Sequence, residues 1–238
     1  MNGSPRILLF DVNETLLDLA ALDPVFIEAF GDPYSRRDWF DASIRTVLLD
    51  LALGRSHGFG EIGHAALAET AASRGVPLTE PTRRAVRDGM RALPPHPDVV
   101  PALNRLRAAG WTLAALSNNP IETLTAQFEA AALRPLFAQV FAASWSGRLK
   151  PHPAPYAMAA ESLAVQPADI LFVAAHGWDI AGAANAGMRT AFVARSGEVV
   201  EPLSPAPHLS VPNLMDLAEV LIGRTTDDPP RQSDPTSE

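Results

Sequence analysis

The chain has 238 residues, which fits one domain or one domain with an insertion, and 47% of the residues are apolar, enough for a sizeable core. Its net charge is −8, from 19 Lys and Arg against 27 Asp and Glu, and this balance argues against a nucleic-acid surface. Because the chain contains no cysteine, a disulfide, a thiolate nucleophile and a cysteine metal site are all excluded.

Small solutes are therefore the expected partners, and nucleic acid and membrane are not. The first residues, "MNGSPRILLFD", carry an apolar run that is too short for a signal peptide. The other apolar stretches fall short of a membrane span, so we expect a cytoplasmic protein.

The first predicted element is a buried strand, "RILLF", which runs directly into Asp11. Residues 19–95 then read as helices separated by Gly or Pro. The four helical segments are "ALDPVFIEAF", "DWFDASIRTVLLDLALG", "FGEIGHAALAETAASRG" and "EPTRRAVRDGMRAL". They predict a helical cap inserted after the first strand.

From residue 96 onward, strand-like and helix-like segments alternate. The predicted strand "TLAAL" is followed by Ser117, "ILFVA" by "AHGWD", and "TAFVA" by Arg195. The predicted helices are "DVVPALNRLRAAG", "PIETLTAQFEAAAL", "PAPYAMAAESLAV" and "DIAGAANAGM". This alternation predicts an α/β fold with a doubly wound parallel sheet. The predicted core comprises residues 1–18 and 96–224, and the predicted cap comprises residues 19–95. The polar, Pro-rich residues 225–238 are predicted to form a disordered tail.

The carboxyl ends of the strands predict the position of the site. Ligands of doubly wound sheets bind outside those ends, so Asp11, Ser117 and residues 174–179 should converge although they lie far apart in sequence. An aspartate at a strand end is also common as a turn residue, and Asp179 by itself could be a helix N-cap.

Five residues in order resemble the haloacid dehalogenase superfamily: Asp11 with Thr15, then Ser117, Lys150 and Asp179. The resemblance extends over about residues 6–222 and implies a Rossmann-like core with an inserted cap. Each motif alone is weak, but four motifs in order with a helical insert after the first are specific. The superfamily includes both phosphatases and dehalogenases, so the fold does not choose the reaction.

The residues next to these motifs favour displacement of a halide. Phosphatases of this kind need an acid two residues after the nucleophile to protonate the leaving alkoxide, and Asn13 has no proton to give. They also hold a divalent cation with carboxylates, and Ala174 and Ala175 stand where a Gly-Asp pair would supply one. A halide leaves without a proton and without a metal.

The closer resemblance is to the type II 2-haloacid dehalogenases, which implies a hydrolase that cleaves the carbon–halogen bond of short 2-haloacids, including (S)-enantiomers, with inversion and without a cofactor or metal. It implies that Asp11 attacks the substrate carbon, Lys150 orients Asp11, Thr15 ties the loop, and Asp179, together with His176, takes a proton from the hydrolytic water. Substrate contacts are expected at Val12, Phe40, Ser117, Asn118, Tyr156 and Trp178.

Four positions depart from that family. Phe40 stands where an arginine is usual, His176 where an asparagine is usual, Ala174 where a serine is usual, and Asn13 where an aromatic residue is usual. A nearby arginine could take over the task of attracting the substrate carboxylate, and the candidates are Arg36, Arg37 and Arg45.

Two alternative functions remain open at this stage. One is a hydrolase of the same fold that acts on another small electrophile such as a phosphate ester, and the other is a catalytically silent binding module. The apolar cap helices could also pair two copies in a homodimer, as the resemblance implies.

Overall fold

The structure is a computed structural model that describes residues 6–195 and 197–223. The six strands of the described residues form one parallel sheet in the order β3-β2-β1-β4-β5-β6. The strands are β1 (Ile7–Phe10), β2 (Thr112–Ser117), β3 (Gln139–Ala142), β4 (Ile170–Ala174), β5 (Arg189–Val193) and β6 (Leu209–Val211). The predicted tail at residues 225–238 lies outside the described residues.

Helices connect the strands and cover the sheet, which confirms the predicted α/β fold. The helices are α1 (Asp23–Phe30), α2 (Ser35–Ala52), α3 (Phe59–Ser73), α4 (Glu80–Arg91), α5 (Val99–Ala108), α6 (Ile121–Ala130), α7 (Pro153–Ser162), α8 (Gly177–Asn185) and α9 (Leu214–Gly223). Helices α1 to α4 fall within the predicted insert of residues 19–95, and the division into two folding units stays a prediction. Within the described residues, none of the helices has the length and apolar character of a membrane span.

The register of the central strands brings the predicted site residues to one edge. Phe10 at the end of β1 pairs with Ala115 of β2 on one side and with Val173 of β4 on the other. Asp11 therefore leaves the sheet at the level where β2 and β4 also end. The convergence of Asp11, Ser117 and residues 174–179 follows from this parallel register.

The cap helices close over that edge and pack on the core. The side chain of Phe26 in α1 packs on the ring of Trp39 in α2, with 5.3 Å between the ring centroids. The carbonyl of Met90 in α4 accepts a hydrogen bond of 2.8 Å from the Gln127 side chain of core helix α6. The bond between Met90 and Gln127 therefore joins the cap directly to the core.

Candidate active site

Asp11 is a buried carboxylate that is oriented through both of its oxygens. Its Oδ1 accepts a hydrogen bond of 2.7 Å from Lys150 Nζ, and its Oδ2 accepts one of 2.8 Å from Thr15 Oγ1. The Thr15 hydroxyl in turn accepts the amide of Ala175 at 2.9 Å, which ties the loop after β1 to the loop after β4. Burial would raise the pKa of Asp11, but the charges on Lys150 and His176 outweigh it and hold the pKa well below its usual value.

Lys150 links the first carboxylate to a second one. Its Nζ donates to Asp11, to the carbonyl of Leu116 at 2.9 Å and to Asp179 Oδ2 at 2.6 Å, so each of its three protons has an acceptor. Burial opposes the charged ammonium, yet the two carboxylates raise the pKa of Lys150. Asn118 holds the Lys150 backbone through both ends of its amide, at 2.8 and 3.0 Å.

Asp179 is fully buried, and both of its oxygens are engaged. Oδ2 accepts from Lys150, and Oδ1 accepts from the hydroxyl of Tyr156. Helix α8 begins at Gly177, so Asp179 lies inside the first turn and is not the N-cap, which is His176. Burial and the neighbouring Asp11 raise the pKa of Asp179 to about 6 against the opposing effect of Lys150. Tyr156 therefore does more than pack, because it completes the environment of this carboxyl.

His176 lies between two carboxylates. Its Nε2 is 3.0 Å from Glu14 Oε2, while its Nδ1 is 3.4 Å from Asp11 Oδ2, an ion-pair distance that lacks hydrogen-bond geometry. Burial lowers the pKa of an imidazole, but the hydrogen bond to Glu14 and the two negative charges raise the pKa of His176 to about 10. The ring is thus an imidazolium at neutral pH.

Two aromatic rings stack on that imidazolium. Phe40 of α2 stacks on it with 5.2 Å between ring centroids, and Trp178 of α8 stacks on it with 5.4 Å. Phe40 and His176 are two of the four positions that depart from the expected pattern, and they are direct neighbours.

Glu14 was not among the predicted site residues. The backbone of Glu14 is left-handed, with φ of 60°, and its carbonyl contacts His96 Nε2 at 3.0 Å. Its carboxylate bridges His176 to Arg36, whose Nη1 donates to Glu14 Oε1 at 3.0 Å. The sequence shows an acidic residue three places after Asp11, but that spacing has no specific meaning without knowledge of its partner.

The three candidate arginines differ in their surroundings. Arg36 is buried, and besides Glu14 it binds Asp23 Oδ1 through Nε at 2.5 Å. Arg45 is exposed and forms an ion pair with Glu69. Arg37 lines the mouth of the cavity above His176, close to Gly197. Arg36 is consequently committed to two carboxylates of the protein itself.

The loop after β2 provides a buried hydroxyl. Ser117 Oγ accepts the amide of Asn119 at 3.1 Å, which leaves the hydroxyl proton for another acceptor. Asn119 Nδ2 also donates to Asn13 Oδ1 at 3.2 Å, and Gln127 Nε2 donates to the same oxygen at 3.2 Å. Asn13, two places after Asp11, is therefore a hydrogen-bonded amide.

Val12 is fully buried and shapes the loop after β1. Its carbonyl accepts the amides of Leu16 at 2.9 Å and Leu17 at 3.0 Å. The structure thus places Val12 in the turn that presents Asp11, and its side chain belongs to the apolar core.

A cavity of about 400 Å³ opens between the cap and the core above His176. Its walls include Phe40, His176 and Trp178, together with Glu14 and Glu198. Glu14, His176 and Glu198 each bring one potential metal-ligand atom within 4.8 Å of the others. A cation at this point would have to compete with Arg36 and with the His176 imidazolium for Glu14, which disfavours metal binding there.

Comparisons with known proteins identify the family of the chain. A model of the haloacid dehalogenase-like hydrolase family matches residues 5–187. The (S)-2-haloacid dehalogenase of Xanthobacter autotrophicus is 29% identical and the one of Pseudomonas sp. strain YL is 28% identical; the matches cover 92% and 90% of this chain and 95% and 93% of those proteins. The L-2-haloacid dehalogenase structure from Xanthobacter autotrophicus is similar with a TM-score of 0.85 at 28% identity, over 92% of this chain and 99% of that chain. A second structure of that enzyme, with the same TM-score, has chloropropionic acid covalently bound.

Proposed function

The chain belongs to the haloacid dehalogenase-like hydrolases, and from that membership we propose that it hydrolyses the carbon–halogen bond of 2-haloacids through an ester of Asp11. The observation that carries the proposal is an ionised, oriented Asp11 two residues before an amide, Asn13, that has no proton to give. An alkoxide leaving from phosphorus needs that proton, and a halide leaving from carbon does not. The bound chloropropionic acid of the Xanthobacter autotrophicus enzyme supports a covalent path.

In the first half of the reaction, the Asp11 carboxylate attacks the carbon that bears the halogen. The carbon–halogen bond breaks, the halide leaves with the bonding pair, and the configuration of the carbon inverts. Lys150 keeps Asp11 ionised and aimed, and the Ser117 hydroxyl donates to the substrate carboxylate. Phe40 and Trp178 supply apolar walls that keep bulk water from the carboxylate.

The second half of the reaction uses His176. Esterification removes the negative charge of Asp11, which is one of the two anions that raise the pKa of His176. The ring then loses its proton to solvent and, as a neutral imidazole, takes a proton from the water that attacks the ester carbonyl. Glu14 stabilises the imidazolium that forms. When the tetrahedral intermediate collapses, the bond between the acyl carbon and the hydroxyacid oxygen breaks, and the imidazolium gives its proton to that departing oxygen. The proton of the resulting Asp11 carboxyl returns to His176, so the hydroxyacid is released and Asp11 is restored as a carboxylate.

In this proposal, Asp179 does not take the proton from the hydrolytic water, which is the role expected from the sequence. Both of its oxygens are bound, by Lys150 and by Tyr156, so it orients Lys150 and leaves the water to His176. His176, which was predicted to assist Asp179, is therefore the main base in this proposal.

Turnover is independent of metal in this proposal, because Asn13, Ala174 and Ala175 replace the groups that a phosphatase uses for acid catalysis and cation binding. We expect halide release to continue unchanged after extensive treatment with EDTA. Loss of activity that added magnesium restores would contradict this mechanism.

The cytoplasmic location and the homodimer expected from the sequence stay predictions. Light scattering coupled to size-exclusion chromatography measures the mass of the assembly directly. A mass of twice 25.4 kDa would support the homodimer.

A halide-release screen beside a phosphate-ester assay tests the proposed function. The substrates are chloro-, bromo- and fluoroacetate and both enantiomers of 2-chloropropionate, with Asp11→Asn as the control. We expect halide from the haloacetates and from the (S)-enantiomer, (R)-hydroxyacid as the chiral product, and no halide from the control. Phosphate release without halide release would favour a phosphatase, and inertness in both assays would favour a binding module.

A further inference from the structure

Three consecutive carbonyls of the loop after β1 are bound by residues from outside that loop. The carbonyl of Glu14 accepts a hydrogen bond of 3.0 Å from His96 Nε2, and the carbonyl of Leu16 accepts one of 3.0 Å from the His96 amide. The carbonyl of Thr15 accepts a hydrogen bond of 2.9 Å from Arg195 Nη2. Because His96 follows α4 and Arg195 follows β5, two segments that are distant in sequence hold one short loop.

The backbone of Glu14 requires such support. Its φ of 60° is left-handed, and for a residue other than glycine this conformation persists only where the surrounding structure fixes it. The bonds to the carbonyls of Glu14 and Thr15 fix the two peptide planes that follow this residue. They therefore set the directions in which the Glu14 and Thr15 side chains leave the backbone.

Both of these side chains contact residues of the proposed mechanism. Thr15 Oγ1 donates to Asp11 Oδ2 at 2.8 Å, and Glu14 Oε2 lies 3.0 Å from His176 Nε2. A displacement of the loop would change the orientation of Asp11 and the charge next to His176 at the same time.

Arg195 is itself fixed by an ion pair. Its Nη1 donates to Asp98 Oδ1 at 2.9 Å, and Asp98 Oδ2 accepts the amide of Leu214 at 2.7 Å, where α9 begins. Only 13% of the Arg195 side chain and 15% of the Asp98 side chain are exposed. A guanidinium that is anchored and buried in this way can hold the Thr15 carbonyl in one position.

His96 binds the Glu14 carbonyl as a neutral ring. Burial and the charge of Arg195 lower the pKa of His96, so its imidazole is uncharged at neutral pH. Because a carbonyl only accepts hydrogen bonds, the single ring proton lies on Nε2. A glutamine in this position could supply an N–H donor in place of Nε2, whereas a leucine of similar size could not.

We propose that His96 and Arg195 are positioning residues that hold the loop after β1 in one conformation, so that Thr15 orients Asp11 and Glu14 faces His176. The inference rests on the proposed function where it concerns turnover. The placement of Glu14 beside His176 can be measured without turnover, because the Glu14 charge raises the pKa of the ring.

The first test replaces His96 by leucine, which removes the donor, and by glutamine, which keeps one. We expect His96→Leu to lower kcat for (S)-2-chloropropionate by about tenfold or more, because small displacements of reacting groups slow the chemistry to that extent. NMR titration should find the pKa of His176 below about 10 in this variant, because Glu14 is no longer held beside the ring. His96→Gln should keep both values close to those of wild type.

The second test replaces Arg195 by methionine, which keeps the apolar stem and removes the donors. The matched control is Arg105→Met, because Arg105 of α5 also binds α9, through an exposed ion pair with Glu219. We expect Arg195→Met to lower kcat and the pKa of His176 in the same way as the leucine variant. Arg105→Met should change neither value.

An unchanged pKa of His176 in folded His96→Leu would overturn the assignment, and so would the same lowered pKa in His96→Gln. If Arg195→Met does not fold, the two His96 variants decide the question. If wild type releases no halide, the proposed function fails, and the pKa of His176 in the variants still tests whether the loop is held as proposed.

Discussion

In the proposed mechanism, the charge of His176 changes during the reaction because the charge of a neighbouring residue changes. In the resting protein, Asp11 and Glu14 raise its pKa to about 10 against the effect of burial. Once Asp11 is an ester, only Glu14 and the more distant charges act on the ring, so its pKa falls toward the range in which an imidazole can accept a proton. In the proposed mechanism, His176 thus becomes a base only after the first step is complete.

Replacing Glu14 by glutamine separates the two halves of the reaction. Loss of the carboxylate lowers the pKa of His176 below about 10 and removes the group that stabilises the imidazolium during ester hydrolysis. Ester formation by Asp11 should continue, and hydrolysis should slow by about 10²-fold or more. Rapid quenching should show a burst of about one halide per enzyme before a slow steady state.

The matched control for this prediction is Glu69→Gln, which removes a carboxylate that binds Arg45 on the surface. NMR titration of the His176 ring measures the pKa directly. An unchanged pKa together with a linear time course in Glu14→Gln would argue against the Glu14–His176 pair.

Phe40 and His176 form a coupled pair. A guanidinium in place of the Phe40 ring would lie about 5 Å from the imidazolium, where two like charges repel by about 3 kcal/mol at an effective dielectric constant of about 20. We expect Phe40→Arg alone to lower kcat/KM for 2-haloacids. In the His176→Asn background, Phe40→Arg should raise kcat/KM, because a charge-assisted bond from the new arginine to the substrate carboxylate contributes about 1.5–3 kcal/mol.

A complete double-mutant cycle on halide release checks this sign reversal. If Phe40→Arg has the same effect in both backgrounds, the two positions act independently and the cation at His176 does not oppose one at position 40.

The residues that share a local motif were predictable, and those that depend on distant pairing were not. Asp11 and Thr15 lie four residues apart, and the structure joins them as expected. The role of Glu14 depends on its contact with His176, which is 162 positions away. His176 was predicted to act on the hydrolytic water from the family resemblance, and that prediction did not involve Glu14. The role of Phe40 likewise depends on the ring stacked against it.

Close approach of two elements sets the geometry around Tyr156. Gly182 of α8 faces the start of α7, and a Cβ there would lie 2.6 Å from the Tyr156 hydroxyl and 2.9 Å from the carbonyl of Pro151. The backbone carbonyl cannot move aside easily. Only a glycine allows α8 and the Lys150 segment to pack this closely.

The substitution Gly182→Ala should lower the free energy of unfolding by about 1–3 kcal/mol, as is typical of overpacking in a core. It should also lower kcat, because it pushes the Tyr156 hydroxyl away from Asp179. Urea unfolding and halide release measure the two effects. The control is Gly58→Ala, whose Cβ would meet no atom within 4 Å; equal behaviour of the two variants would contradict the packing argument.

Long buried strands and amphipathic helices were predictable from their patterns, and short elements were not. The strand β4 agrees with the predicted "ILFVA", and the four cap helices lie where they were expected. β3 and β6 were missed because "QVFA" and "LSV" contain only four and three residues, too few for a period to be visible. Helix α8 begins two residues before the predicted segment, which changes Asp179 from a possible cap into a side chain inside the first turn.

The site belongs to the whole molecule, because cap and core each supply part of it. The core presents Asp11, Lys150 and Ser117 at the carboxyl edge of the sheet, while α2 supplies Phe40 and Arg36. The loop after β1 meets the cap through the bond from Arg36 to Glu14. The surroundings of Glu14 and His176 therefore come from both parts of the chain.

A single turnover in ¹⁸O-water with enzyme in excess tests most directly whether Asp11 is the nucleophile. If Asp11 attacks the substrate carbon, the oxygen of the first product comes from the carboxylate, and solvent oxygen enters Asp11 when water opens the ester. Mass spectrometry should therefore find unlabelled hydroxyacid and a labelled peptide that contains Asp11. Labelled hydroxyacid together with an unlabelled Asp11 peptide would show direct attack by water and would contradict the ester mechanism.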